Sequence, residues 1–267
     1  RRCRSINSKR RPSLGYASCQ INIEMEIIVK KNIDELSKSL ADWFVLYVAD
    51  VLKKQSFFSF CLSGGSTPQK FYQILSTENY RQKIEWAKIL FFWGDERAVP
   101  FNDEKNNARM AFENFLDLIP VKKEQIHIIP TDMEPADAAT AYQQVLQKYF
   151  AASRHTFDFV LLGLGDNAHT LSLFPGYDVV HEKKEWVSSF YLKEQNMYRI
   201  TITAPVINKA AVVAFLVSGA DKAMAVQHII KGKKNASLYP AQVIHPQKGK
   251  LYWWLDEAGA KNISIKQ

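Results

Sequence analysis

FDFVLLGLGDNAHTLSLFPG, residues 157–176, is the stretch whose reading decides the fold. Residues 157–162 are apolar except for Asp158 and rich in β-formers, as a short strand buried on both faces of a parallel sheet would be. The strand stops at Gly163-Leu164-Gly165, where two glycines let the backbone turn tightly and approach a ligand closely. They deliver Asp166, Asn167 and His169 at the strand's carboxyl end, the edge where open α/β sheets bind ligands. A lone histidine is more often structural than chemical. This one follows a glycine-rich strand exit and has the hydroxyls of Thr170 and Ser172 nearby, and an imidazole can titrate near neutrality, so His169 is a candidate general base.

Outward from that stretch, the strand-and-turn pattern recurs. Residues 57–62 predict a strand that empties into Ser63, Gly64, Gly65, Ser66, Thr67 and Pro68, with Pro68 at the first position of a helix over 69–75. Two glycines, free N–H groups, three hydroxyls and a positive helix end make a seat for a phosphate or another anion. A plain tight connection would not need the hydroxyls, and no GK[ST] follows, so this is not a Walker loop. The strand predicted over 88–93 ends in Gly94-Asp95-Glu96-Arg97, where a carboxylate pair precedes a guanidinium whose planar fork suits phosphates and carboxylates. The strand predicted over 212–217 leads through Ser218-Gly219-Ala220-Asp221-Lys222 into a helix to about residue 231. Lys222 in its first turn opposes the helix dipole, which suggests an anion to offset it. YRITIT, residues 198–203, alternates as a half-buried strand does, and Arg199 in it reads either as a satisfied surface charge or as a ligand contact.

The remaining elements read as scaffold: a strand over 26–29, a helix capped by Asp34 and running to about residue 54, a helix over 106–118, and a strand over 125–129. A helix over 135–150 and strands over 186–191 and 251–255 complete the set. His127 and His155 read as incidental or structural. The expected fold is α/β, with a mostly parallel, Rossmann-like sheet and helices on both faces. If its strands are parallel, the four polar strand exits meet on one edge.

With 267 residues, 47% hydrophobic and 12% aromatic, the chain can bury a large core. The net charge of +8 suggests nucleic acid until it is located: residues 1–24 carry +5 of it, and the rest interleaves bases with acids. Neither a nucleic-acid partner nor a membrane span is expected. Residues 1–23 are Arg- and Ser-rich and free of acids, the superficial composition of a transit peptide. Met25 opens MEIIVKK, so residues 1–24 are read instead as a disordered extension and 25–267 as a single α/β domain. Cys3, Cys19 and Cys61 form no CxxC pair, and a buried Cys61 fits a reducing, cytoplasmic setting.

An anion seat, Arg and Lys beside one histidine suggest a small phosphorylated substrate and proton-transfer or hydrolytic chemistry. The match of residues 163–168 to GxGxxA is formal, because Pro175-Gly176 follows too soon for the long helix that a dinucleotide site opens. A serine hydrolase would need a GxSxG elbow, which is missing, and no second histidine has metal-ligand spacing.

LSGGSTP, the DER of residues 95–97, GLGDNAHTLSLFPG, YRITIT and GADK, in that order, resemble the 6-phosphogluconolactonases of the glucosamine-6-phosphate isomerase/deaminase superfamily. The resemblance runs from about Ile27 to the C-terminus and implies a NagB/RpiA/CoA-transferase-like fold. It also implies cofactor-free hydrolysis of 6-phosphoglucono-δ-lactone, in the oxidative pentose phosphate pathway, by a monomer or homodimer. His169 matches the family's general base, and Arg97, with Asp95 in the same motif, matches the arginine near the substrate phosphate. Ser63, Gly64, Gly65, Ser66, Thr67 and Lys222 match phosphate-side motifs, Arg199 opens the family's R-[VI]-T-[LI]-T strand, and Asn167 stands beside the base.

The chain departs from the family at one place. Where the family reads D-G-H, it reads Asn167-Ala168-His169, so a carboxylate has become a neutral amide and a Cβ sits where positive φ would strain it. Two other readings stay open. One is a deaminase, although that branch reads HIAFNEP and its carboxylate is missing from HTLSLFPG. The other is a sugar-phosphate-binding protein with a degenerate catalytic turn.

Overall fold

A computed structural model describes residues 25–264, so the expected extension over residues 1–24 lies outside the described residues. The strands are β1 (Met25–Lys30), β2 (Phe58–Leu62), β3 (Ile89–Trp93), β4 (Asp95–Arg97), β5 (Ile126–His127), β6 (Phe159–Leu162), β7 (Val187–Leu192), β8 (Met197–Ile202), β9 (Val212–Val217) and β10 (Lys250–Asp256). The helices are α1 (Ile33–Leu52), α2 (Ser66–Leu75), α3 (Glu78–Arg81), α4 (Asn107–Asn114), α5 (Pro135–Phe150), α6 (Ala204–Ile207), α7 (Ala223–Ile230) and α8 (Glu257–Ala260).

Seven strands form one sheet in the order β1-β10-β9-β6-β2-β3-β5, and every pairing in it is parallel. The expected α/β class and mostly parallel sheet are therefore borne out. β4, β8 and β7 form a second, antiparallel sheet, in which Arg97 lies opposite Arg199. The chain runs from β2 outward through β3 to β5, then returns to β6 on the other side of β2 and continues to β9 and β10. The carboxyl ends of β2 and β6 thus flank the topological switch point, where such sheets bind ligands.

Strand period explains the two covered faces. Phe60 and Phe91 lie on one face, with Phe44 of α1 packed against Phe58, Phe60 and Phe159 at ring-centroid separations of 5.1–5.7 Å. Phe92, one residue on and therefore on the opposite face, meets Tyr149 and Phe150 of α5. Phe44 is wholly buried, so truncating it to Ala would cost about 3–5 kcal/mol.

Asp158, the one polar residue in the apolar run, is a staple. Its Oδ2 accepts from the Ser59 N–H and hydroxyl, each at 2.7 Å, while its own N–H donates to Ser59 Oγ, and this joins the foot of β6 to β2. Several boundaries differ from expectation, the starts of three helices among them. Asn32, not Asp34, caps α1, its Oδ1 accepting from Glu35 N–H, and Asp34 pairs instead with Lys70. α2 starts at Ser66, so Pro68 is its third residue, and Lys222 ends a 3-10 turn just before α7. Hydrogen bonds set these ends, and residue preference reports them only loosely.

Candidate active site

Ser63, the residue after β2, is clamped: Tyr72 of α2 accepts from the Ser63 N–H at 2.9 Å and donates to the Ser63 carbonyl at 2.8 Å. The chain then turns through Gly64 and Gly65, and Gly65 (φ 103°) occupies the left-handed region before α2 begins. Gly64 is required for a different reason, since a Cβ there would lie 1.8 Å from Asn107 Oδ1. α2 presents its first N–H groups to the cleft with no acidic residue in its first turn, the electrostatics of an anion seat.

β4 carries the DER motif inward. Asp95 and Glu96 are buried. Glu96 accepts from the N–H groups of Arg97, Asn107 and Ala108, which anchors the start of α4. Burial pushes its carboxyl up to about 7 while those three donors pull the other way. Asp95 Oδ2 accepts from Ser172 Oγ at 2.6 Å and from Arg199 at 3.1 Å, and Arg199 Nε donates to Ser172 Oγ at 2.9 Å, closing a buried ring of three side chains. Arg97 is half-buried: one terminal nitrogen donates to the Lys105 carbonyl at 2.7 Å, and its Nε is buried with no partner. Much of that fork is uncommitted.

The turn after β6 places the histidine. The Gly165 N–H donates to the His169 carbonyl, the Ala168 N–H donates to the Gly165 carbonyl, and Thr170 Oγ1 donates to the Gly163 carbonyl. Ala168 (φ 63°) and Leu171 (φ 54°) both occupy the left-handed region, so the strain anticipated at Ala168 is present and shared with a second residue. The imidazole of His169 stacks on Phe174, with centroids 4.0 Å apart. Burial, assisted by Arg199 and Lys222 and opposed by Asp95 and Asp166, lowers its pKa to about 4, so the ring is neutral near pH 7.

A cleft of about 240 Å³ at the switch point is lined by Ser63, Gly64, Gly65, Ser66, Thr67, Asp95, Arg97, His169, Arg199 and Lys222. Every expected site residue but one borders it. Asn167 does not: it is exposed, with Oδ1 2.5 Å from His169 Nδ1, so it touches the imidazole and not the cleft. Lys222 pairs with exposed Asp221 at 2.9 Å. Asn107 also lines the cleft and was not anticipated. Its only sequence signal is its place at a helix start opposite the Gly-Gly turn. Among the described residues no cluster of His, Cys, Asp and Glu could hold a metal ion, and no helix is long and apolar enough to cross a membrane.

Fold and site together define an α/β protein with a cationic, histidine-bearing cleft at the switch point of a parallel sheet. The sequence model of the family described as glucosamine-6-phosphate isomerases/6-phosphogluconolactonase matches residues 31–253, and the chain belongs to that family. It is similar to a 6-phosphogluconolactonase of Nostoc sp., at 37% identity over 247 residues, covering 89% of this chain and 100% of that protein. It is also similar to a probable chloroplastic 6-phosphogluconolactonase of Oryza sativa subsp. indica, at 34% identity, covering 90% and 78%. Among solved structures, 6-phosphogluconolactonase from Trypanosoma brucei superposes with a TM-score of 0.78 at 28% identity, covering 91% of this chain and all of that one. A monomeric glucosamine-6-phosphate deaminase shares the fold, with a TM-score of 0.76 at 20% identity, covering 90% of this chain and all of that one.

Proposed function

We propose that the chain hydrolyses 6-phosphoglucono-δ-lactone to 6-phosphogluconate. The observation that carries this reading is the His169 imidazole held in one cleft with Arg97, Arg199, Lys222 and the two glycine turns. The names of the similar proteins agree with it. The substrate phosphate sits against Arg97, Lys222 and the start of α2, which leaves the lactone carbonyl near His169.

Unprotonated Nε2 of His169 then takes a proton from water as the water oxygen bonds to the carbonyl carbon. A backbone N–H of the glycine turns holds the oxyanion that forms. The tetrahedral species collapses by breaking the bond to the ring oxygen, and His169 returns its proton to that departing alkoxide. The ring opens with one water added and no redox step. The deaminase reading is weaker, because Phe174 occupies the place of the carboxylate in that branch's motif and is stacked on His169.

The test is hydrolysis of freshly made lactone against its spontaneous background. Wild type should accelerate it, and His169→Ala should lose about 10²–10⁴-fold in kcat. Binding of 6-phosphogluconate without acceleration would replace the lactonase by a sugar-phosphate-binding protein. The cytoplasm is the proposed compartment, and a monomer or homodimer the proposed assembly, which sedimentation would distinguish.

A further inference from the structure

Two donors converge on one oxygen beside the base. Asn167 Oδ1 lies 3.2 Å from the backbone N–H of His169 and 2.5 Å from its ring Nδ1. A backbone N–H can only donate, so the amide group facing it must be the oxygen, since a turned amide would set its NH₂ against that N–H. A carbonyl oxygen can only accept, so the ring nitrogen touching it must carry the proton. The close packing of the turn holds this arrangement in place: a Cβ on Gly165 would lie 2.0 Å from His169 Nδ1 and 2.9 Å from Asn167 Oδ1, and the ring stacks on Phe174.

We infer that Asn167 is the positioning residue of the base, its side-chain oxygen fixing the Nδ1–H tautomer of His169 and leaving Nε2 as the proton acceptor. The inference rests on the reading of His169 as a general base and adds what an amide, and not a carboxylate, does in this place. An amide oxygen orients the neutral ring as well as a carboxylate would, but it supplies no charge to stabilise the imidazolium. The other charged groups acting on the ring are Asp95 from β4, Arg199 from β8, Asp166 from its own turn and Lys222 from the start of α7. They comprise two anions and two cations, whose effects oppose one another. The chain has therefore kept the geometric half of the partnership and given up the electrostatic half.

The ¹⁵N shifts of the His169 ring in full-length protein read the tautomer directly, without substrate, with the resonance identified by its loss in His169→Gln. Wild type should show protonated Nδ1 and bare Nε2. Asn167→Asp should keep that tautomer while the ring's titration midpoint rises by about one unit or more, and the acid limb of kcat/KM should move up with it. Asn167→Ala should lose the tautomer preference and about 10- to 100-fold in kcat, with KM within about twofold, a split that general loosening of the turn would not give.

Bare Nδ1 in wild type overturns the inference, and so does an Asn167→Ala protein matching wild type in both tautomer and kcat. Protonated Nδ1 in a protein that hydrolyses no lactone upholds the inference and removes the proposed reaction. Turnover with bare Nδ1 does the reverse.

Discussion

Asp95 and Arg199, 104 residues apart in the chain, form a salt bridge 3.1 Å long with side chains only 7% and 3% exposed. Ser172, fully buried in the segment after His169, bonds to both. Both charges are almost wholly withdrawn from water at the cleft wall, so removing one leaves the other largely uncompensated. Asp95→Ala should destabilise the fold by about 3–5 kcal/mol in urea titration. A loss below about 1 kcal/mol would mean that water replaces the carboxylate beside Arg199.

The two close-approach glycines should separate binding from chemistry. Gly64→Ala drives a methyl into the Asn107 side chain at the anion seat, and Gly165→Ala drives one into the His169 ring. The first is expected to raise KM, and the second to lower kcat by about tenfold or more at little change in KM. Steady-state kinetics of the pair, with the two effects exchanged, would show the phosphate and the base to be misassigned.

The pH dependence follows from the lowered pKa of His169. Its ring is neutral, and competent as a base, down to about pH 4, so kcat/KM should stay flat through the region near 6.5 where an ordinary imidazole would fail. For stability, the unfolded chain binds this proton near 6.5 and the folded chain only near 4. The contribution is therefore intact above about 6.5 and is lost as pH falls from there to about 4. Melting temperatures across that window should fall on acidification. An acid limb of kcat/KM near 6.5 would contradict the buried, neutral ring.

Arg97 keeps a buried, unpartnered Nε at the cleft wall, so Arg97→Ala should raise KM for the phosphorylated lactone by about tenfold or more. Arg97→Lys should recover part of that by charge alone. Unchanged KM in Arg97→Ala would move the phosphate elsewhere.

Ala168→Gly should be nearly neutral. Relief of left-handed strain is worth about 1–2 kcal/mol, while the buried methyl lost and the freer unfolded chain together offset about as much. A melting temperature within a few degrees of wild type is expected, and a large rise would show strain held in this turn alone.

The sheet was legible because its strands are short, apolar runs ending in glycine turns, and burial on both faces demands that pattern. The limits of α5 and β9 match expectation at both ends. The roles of Arg199 and Asn167 were not legible. Composition places a guanidinium on a strand, but only the pairing of β8 with β4 shows that its charge is engaged by Asp95. Asn167 sits two residues from His169 in sequence, and only the turn's hydrogen bonds show that it faces the ring and not the cleft. Asp158 likewise read as an interruption until Ser59, 99 residues away, was found to be its partner.

β1 pairs with β10 along its whole length, residue 25 opposite 251 through residue 30 opposite 256. Of the strands described, the first to leave the ribosome is thus the one whose only neighbour in the sheet is synthesised last. During synthesis β1 must wait for some 220 residues before its partner exists, so its pairing is the last long-range closure of the sheet, and β1 rather than β10 then forms the sheet's edge.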